Sequence, residues 1–264
     1  MLDNYGVTIT HHHQETPLTS LFILYAILGW IAGMAINHAA DILPTRQTVL
    51  QKPACATCGT SRRWQQWSAL VARVRGRQTC DYCDALRQRL TRSIIIELVT
   101  PVFFVFLLWR YGPSLYLVLI TIYTFILILV TVTDLEHRLI FNVVIIPSIL
   151  LAIAAAFFTP GLSWLAALVG GGFAFILVYL AALVSRGGLG GGDVTLSTFL
   201  GLILGFPKII LSLTFGVFLG GAVALVLLVT GKVGLKTFIP YGPFLTITGW
   251  IMLVWGNEIW NYYF

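Results

Sequence analysis

Beyond residue 19 the chain alternates long apolar runs with short polar turns, and the runs are apolar all round rather than on one stripe. That pattern predicts helices surrounded by hydrocarbon, since a soluble helix keeps one polar face. Candidate spans are 20–37, 94–110, 115–133, 140–158, 163–184, 194–206, 208–230 and 243–257. A crossing helix needs about 17 residues or more. Only 194–206 and 243–257 fall short of this, and 194–206 reads as tilted, half-buried or continuous with its neighbour across Phe206-Pro207. The expected fold is an all-α polytopic membrane protein with seven to eight transmembrane helices. Glycines at Gly170-Gly171-Gly172 and from Gly216 to Gly221 predict close helix contacts, because helices approach in lipid through small side chains.

One long polar segment interrupts the pattern. The resulting divisions are a polar extracytoplasmic tail (1–19), a first transmembrane helix (20–37), a cytoplasmic loop domain (38–93) and a polytopic domain (94–264). The tail carries His11, His12 and His13, read as solvated, and lacks the basic start of a cleavable signal peptide.

Composition excludes a soluble domain: 58% of residues are hydrophobic and 10% charged, against about 25% charged in soluble proteins. Charge then orients the spans. Of the sixteen Lys and Arg, ten lie between residues 37 and 93. A basic block of this kind also suits nucleic acid, but between two membrane spans it is better read as a loop retained on the cytoplasmic side, in contact with anionic lipid. Alternating the spans from there places Arg138, Arg186, Lys232 and Lys236 on the same side, so fourteen of sixteen are inside and only Arg110 and Lys208 outside.

The four cysteines all fall in this loop, as Cys55-x-x-Cys58 and Cys80-x-x-Cys83. Two such knuckles about twenty residues apart have the spacing of a tetrahedral zinc site. A reducing cytoplasm argues against disulfides. Four thiolates leave no open position, so the expected zinc is structural.

Asp134 and Asp193 each sit where an apolar run meets a polar turn. A carboxylate near hydrocarbon costs about 2.5–3.5 kcal/mol at a helix centre, so it needs a reason to be there. The span alternation puts both on the cytoplasmic side, although neither was used to fix it. Two acids at one level can share a proton, one drawing a proton from water and the other donating to a scissile carbonyl. Taken singly, either suits an ion pathway equally well, and a non-catalytic scaffold or ion-conducting protein stays open as the alternative. Gly190-Gly191-Gly192 before Asp193 lets backbone approach a substrate or a facing helix. A phosphate loop is disfavoured because no Gly-Lys-Ser/Thr follows. Glu97, just inside the second span, is a candidate third functional carboxylate or the partner of a loop arginine.

Together these segments resemble the type IV prepilin peptidase family of GxGD-type membrane aspartyl proteases. Residues Asp134–Asn142 are similar to its first aspartate motif, with Phe141 where proline is usual. Residues Gly190–Val194 are similar to the second, with Thr195 where lysine is frequent. Ile239-Pro240-Tyr241-Gly242-Pro243-Phe244 is similar to a third segment before the last span, and the cysteine pairs and Glu97-Leu98 also agree. The resemblance implies that Asp134 and Asp193 are catalytic and that Gly190, Gly191, Gly192, Pro240, Gly242 and Pro243 bind substrate or shape the site. It further implies a bacterial inner-membrane enzyme that cleaves prepilins or pseudopilins for a pilus or type II secretion machinery. A second activity is N-methylation of the new N-terminus by S-adenosylmethionine. In the early segment linked to that activity, Gly33, Asn37, Leu43 and Pro44 survive, while Ile42 replaces an arginine. Trp64 and Trp67 read as anchors at the membrane surface.

Overall fold

Each apolar run forms a helix, and the polar turns end them. The computed structural model describes residues 16–45, 52–55, 58–63, 66–76, 79–83, 90–185, 189–231, 234 and 240–263. The tail with His11–His13, together with Trp64, Arg186, Lys232, Lys236 and Ile239, lies outside them. The helices among the described residues are α1 (Thr16–Ile42), α2 (Ala69–Val74), α3 (Leu90–Tyr111), α4 (Leu115–His137), α5 (Asn142–Ala155), α6 (Trp164–Val184), α7 (Gly191–Leu204), α8 (Lys208–Val229) and α9 (Gly242–Tyr263).

All but the short α2 correspond to the expected spans. Five stretches, Thr19–Thr45, α3, α4, α6 and α8, are long and apolar enough to cross a membrane, while Asn142–Phe158 and α7 are shorter apolar helices. This is the architecture of a multi-pass membrane protein, with eight apolar helices of which five reach crossing length and hydropathy. The structure explains the brevity of α7. Val194, Leu196, Ser197 and everything from Phe199 to Leu204 are buried against neighbouring helices, so α7 is enclosed by protein rather than facing lipid. Its fourteen residues span about 21 Å.

α4 is the central helix, packing against α1, α3, α5 and α9. Half of its apolar window is buried, against 17–28% for the other four crossing helices. Tyr123 meets Phe199 of α7 edge to face at 5.8 Å, within a fully buried group that includes Ile120, Ile145, Leu196, Leu200, Ile209 and Leu245. Hydrocarbon is as apolar as leucine, so contact and close fit hold these helices together rather than exclusion of water. The glycine expectation holds where it matters most: a Cβ on Gly201 would collide with the Gly170 carbonyl, so α6 and α7 touch backbone to backbone. Gly172 and Gly221, by contrast, face open space.

The cysteine segment connects α1 to α3 and is docked by Glu97. This buried carboxylate accepts from Ser68 Oγ at 2.5 Å, Ala69 N at 2.7 Å and Leu70 N at 3.1 Å, and from Asn37 Nδ2 at 3.4 Å. Its partners are thus the first backbone N–H groups of α2, plus a serine and an amide, rather than a loop arginine. A helix N-terminus presents unsatisfied donors, which a carboxylate fits. At the same end, Arg92 of α3 bonds Asp41 of α1 and Glu136 of α4, each at 2.7 Å. That three-helix clasp puts the cysteine segment and the C-terminal end of α4 on one end of the bundle.

Candidate active site

Asp134 lies in the last turn of α4, which ends at Arg138 in the left-handed conformation (φ 54°). The Arg138 N–H donates to the Asp134 carbonyl at 2.9 Å, closing the helix. The Asp134 side chain is 5% exposed, and its Oδ2 accepts from the backbone N–H of Gly242, at the start of α9, at 3.0 Å. A Cβ at residue 242 would stand 2.6 Å from that oxygen, so only glycine permits the approach. Pro243, in the first turn of α9, has no N–H to leave unsatisfied there. Gly242, at the start of α9, therefore supplies the socket of Asp134.

Asp193 occupies the first turn of α7, and its Oδ2 accepts from the Gly190 N–H at 3.1 Å. Gly192 fits against Ile140, whose Cβ would lie 2.7 Å from an added methyl, whereas Gly191 meets open space. Of the three glycines, Gly190 supplies a donor and Gly192 a close contact. The two carboxylates are near enough to interact electrostatically. Each is fixed by a backbone N–H at the N-terminal end of a helix, a setting that favours negative charge by about 0.3–1 kcal/mol.

Other residues of the same motif segments, not assigned a role by the resemblance, also join this site. Tyr241 precedes Gly242 and also feels the charge of Asp193; burial first, and that charge second, push its phenol up to about 12, which keeps its proton in place. Thr195 donates to the Gly192 carbonyl at 3.0 Å and reaches Asn142 Oδ1 at 3.5 Å, tying the first turns of α7 and α5 together. Phe141, where proline is usual, accepts the Val144 and Ile145 N–H groups of α5 on its one carbonyl and packs against the buried cluster of Ile36, Ala39, Ala40, Leu43, Leu129 and Val132.

The cysteines form a separate cluster. Their four sulfurs lie within 4.8 Å of one another, with Cys55–Cys83 at 3.7 Å and Cys58–Cys80 at 3.6 Å. A tetrahedron with metal–sulfur bonds of about 2.3 Å has edges of about 3.8 Å, so these spacings fit one ion held by all four. The Cys80 thiol is held below its ordinary range, chiefly by the Tyr82 backbone N–H, in the direction a thiolate ligand requires. Around the cluster, Gln66 donates to the Thr79 carbonyl and to Asp81, and Arg63 pairs with Asp81.

Comparison with known proteins aligns with these two units. The type IV leader peptidase family matches residues 121–225, the stretch holding both aspartates, and the bacterial peptidase A24 N-terminal domain matches residues 27–111, the stretch holding all four cysteines. A prepilin leader peptidase/N-methyltransferase of Bacillus subtilis is 30% identical over 93% of this chain and 97% of its own length. Proteins of the same description from Pseudomonas putida and Pseudomonas aeruginosa are each 28% identical; they cover 78% and 81% of this chain, and 72% and 75% of their own lengths. No solved structure matches the chain.

Proposed function

The chain belongs to the type IV leader peptidase family, a family of membrane aspartic peptidases, and we propose that it removes the leader of prepilins or pseudopilins with Asp134 and Asp193 as the catalytic pair. The observation that supports this reading is that α4 and α7 each present a carboxylate steadied by a backbone N–H, with Asp134 within electrostatic reach of Asp193. One carboxylate, ionised, takes a proton from water as the oxygen attacks the scissile carbonyl carbon. The other, protonated, gives its proton to the carbonyl oxygen. As the tetrahedral intermediate collapses, the second carboxylate takes back a proton from one hydroxyl, the C–N bond breaks, and the first carboxyl gives its proton to the departing amine.

The substrate class fits the position of the pair. A prepilin keeps a short basic leader in the cytoplasm and an apolar helix in the membrane, so the bond before that helix meets a site at the cytoplasmic face of a bacterial inner membrane. The distribution of basic residues supports that orientation. Clients then pass to a pilus or type II secretion machinery. Nothing favours a non-catalytic scaffold or an ion-conducting protein.

Incubation of the detergent-solubilised chain with a prepilin tests this directly: mass spectrometry is expected to find the pilin without its leader. A prepilin left intact by folded protein overturns the reading. In the presence of S-adenosylmethionine, the new N-terminus is expected to gain the mass of one methyl group, in line with the relatives' description. Among the described residues, the buried acid nearest the cysteine module, Glu97, spends its oxygens on Ser68, Ala69, Leu70 and Asn37. With both oxygens occupied, Glu97 does not fit as a ligand of the methyl donor.

The cysteine quartet holds zinc in this reading. With all four positions filled, the ion contributes to folding the module and takes no part in the cleavage. Freshly purified protein is expected to contain about one zinc per chain, as a closed four-thiolate site requires, and Cys58→Ser to lose most of it. Chelation is expected to open the module, seen as faster proteolysis between residues 52 and 83. A wild-type zinc content in Cys58→Ser would rule the quartet out.

A further inference from the structure

At the end of the bundle opposite the aspartates, the two basic residues that charge counting leaves alone on that side, Arg110 and Lys208, line one cavity of about 260 Å³. Arg110 comes from the last turn of α3, Lys208 from the first residue of α8, and Asn257 and Glu258 from α9. Tyr111, Tyr116 and Thr159 add to the polar side, and apolar residues of α7, α9 and the segment before α6 form the rest of the wall. Arg110 pairs with Glu258. Lys208 donates to the neutral Asn257 Oδ1 at 2.6 Å, and among the described residues no carboxylate pairs with it. The cavity thus carries two cations and one anion.

A cation at a helix N-terminus is on the unfavourable end of the dipole, and a half-buried charge without a counter-charge is costly. Both penalties fall when an anion enters. Arginine, lysine and tyrosine are donors suited to phosphate oxygens. The cavity lies where α3 ends and α8 begins, with aliphatic walls behind the charges. We propose that this cavity binds a phosphate group between Lys208 and Arg110, supplied by the headgroup of an anionic phospholipid in the leaflet opposite the aspartates. Basic pockets between membrane helices recognise lipid headgroups through this chemistry.

The test uses the full chain, delipidated in neutral detergent, with native mass spectrometry as the readout. Short-chain phosphatidylglycerol, short-chain phosphatidylcholine and inorganic phosphate are the three probes. One phosphatidylglycerol per chain is expected to outlast detergent washing, held more tightly than phosphatidylcholine. Lys208→Gln is expected to weaken it about tenfold, as loss of one charge-assisted contact implies, and Lys208→Arg to restore it. Displacement of the lipid by inorganic phosphate at equal concentration keeps the anion site and moves its source from lipid to solute. Phosphatidylglycerol held no better than phosphatidylcholine by the wild-type protein overturns the proposal without recourse to any variant. Unchanged retention in both Lys208→Gln and Arg110→Gln overturns it equally.

Discussion

Asp134→Asn and Asp193→Asn are each expected to lower the rate of leader removal by about a thousandfold or more, with the fold intact. The magnitude follows from the roles assigned. General acid–base groups contribute roughly 10²–10⁴-fold each, and losing one member of a shared-proton pair disables both halves of the exchange. The double variant is therefore expected to be no slower than either single one. Asparagine is nearly isosteric, and its carbonyl oxygen can still accept the Gly242 or Gly190 N–H, so loss of activity need not entail loss of the socket. Zinc content and helical circular dichroism serve as the folding controls. A single variant that still cleaves a prepilin at near wild-type rate would place the chemistry on other residues.

Gly242→Ala is the second large effect, and it acts through position rather than charge. The added methyl would stand 2.6 Å from Asp134 Oδ2 and 3.0 Å from its Cγ, closer than carbon and oxygen can approach. Either the carboxylate turns away or the N-terminal end of α9 retreats, and both break the 3.0 Å hydrogen bond from Gly242. Displacing a reacting group by about 1 Å costs on the order of a hundredfold in rate, and overpacking a filled site costs roughly 1–3 kcal/mol in stability. The expected signature is a fall in kcat for prepilin cleavage larger than any change in KM, because the added methyl acts on the position of Asp134. Gly172→Ala on α6, which meets open space on an exposed surface, is the matched control. Equal rates for the two variants would remove Gly242 from the site.

Much of this architecture was legible because membrane helices announce themselves by unbroken apolarity. The limits of each helix were less so. The first was expected to stop at residue 37, where polarity begins, yet α1 continues to Ile42. Asn37 finds the Ser93 carbonyl and Asp41 finds Arg92, so polar residues that suggest an end are instead used inside the bundle. The same blindness applies to Glu97, whose partners are backbone N–H groups that no pattern of side chains reveals. Asp134 and Asp193 stood out because carboxylates beside hydrocarbon are costly. Their supports did not, since Gly242 is 108 residues from Asp134 in sequence and its contribution is an N–H that every residue but proline has. The tight approach of glycine backbones was readable as a tendency of the segment, but which glycine touches what depends on helix rotation, which composition does not encode.

Enclosure of α7 uncouples its length from the bilayer. It carries Asp193 at one end and reaches the wall of the Lys208 cavity through Leu204 at the other. Its length of about 21 Å falls well short of a hydrocarbon layer of about 30 Å, but its neighbours are protein side chains, and five longer apolar helices reach crossing length. The separation of Asp193 from the opposite cavity is therefore set by helix packing and not by the thickness of the lipid.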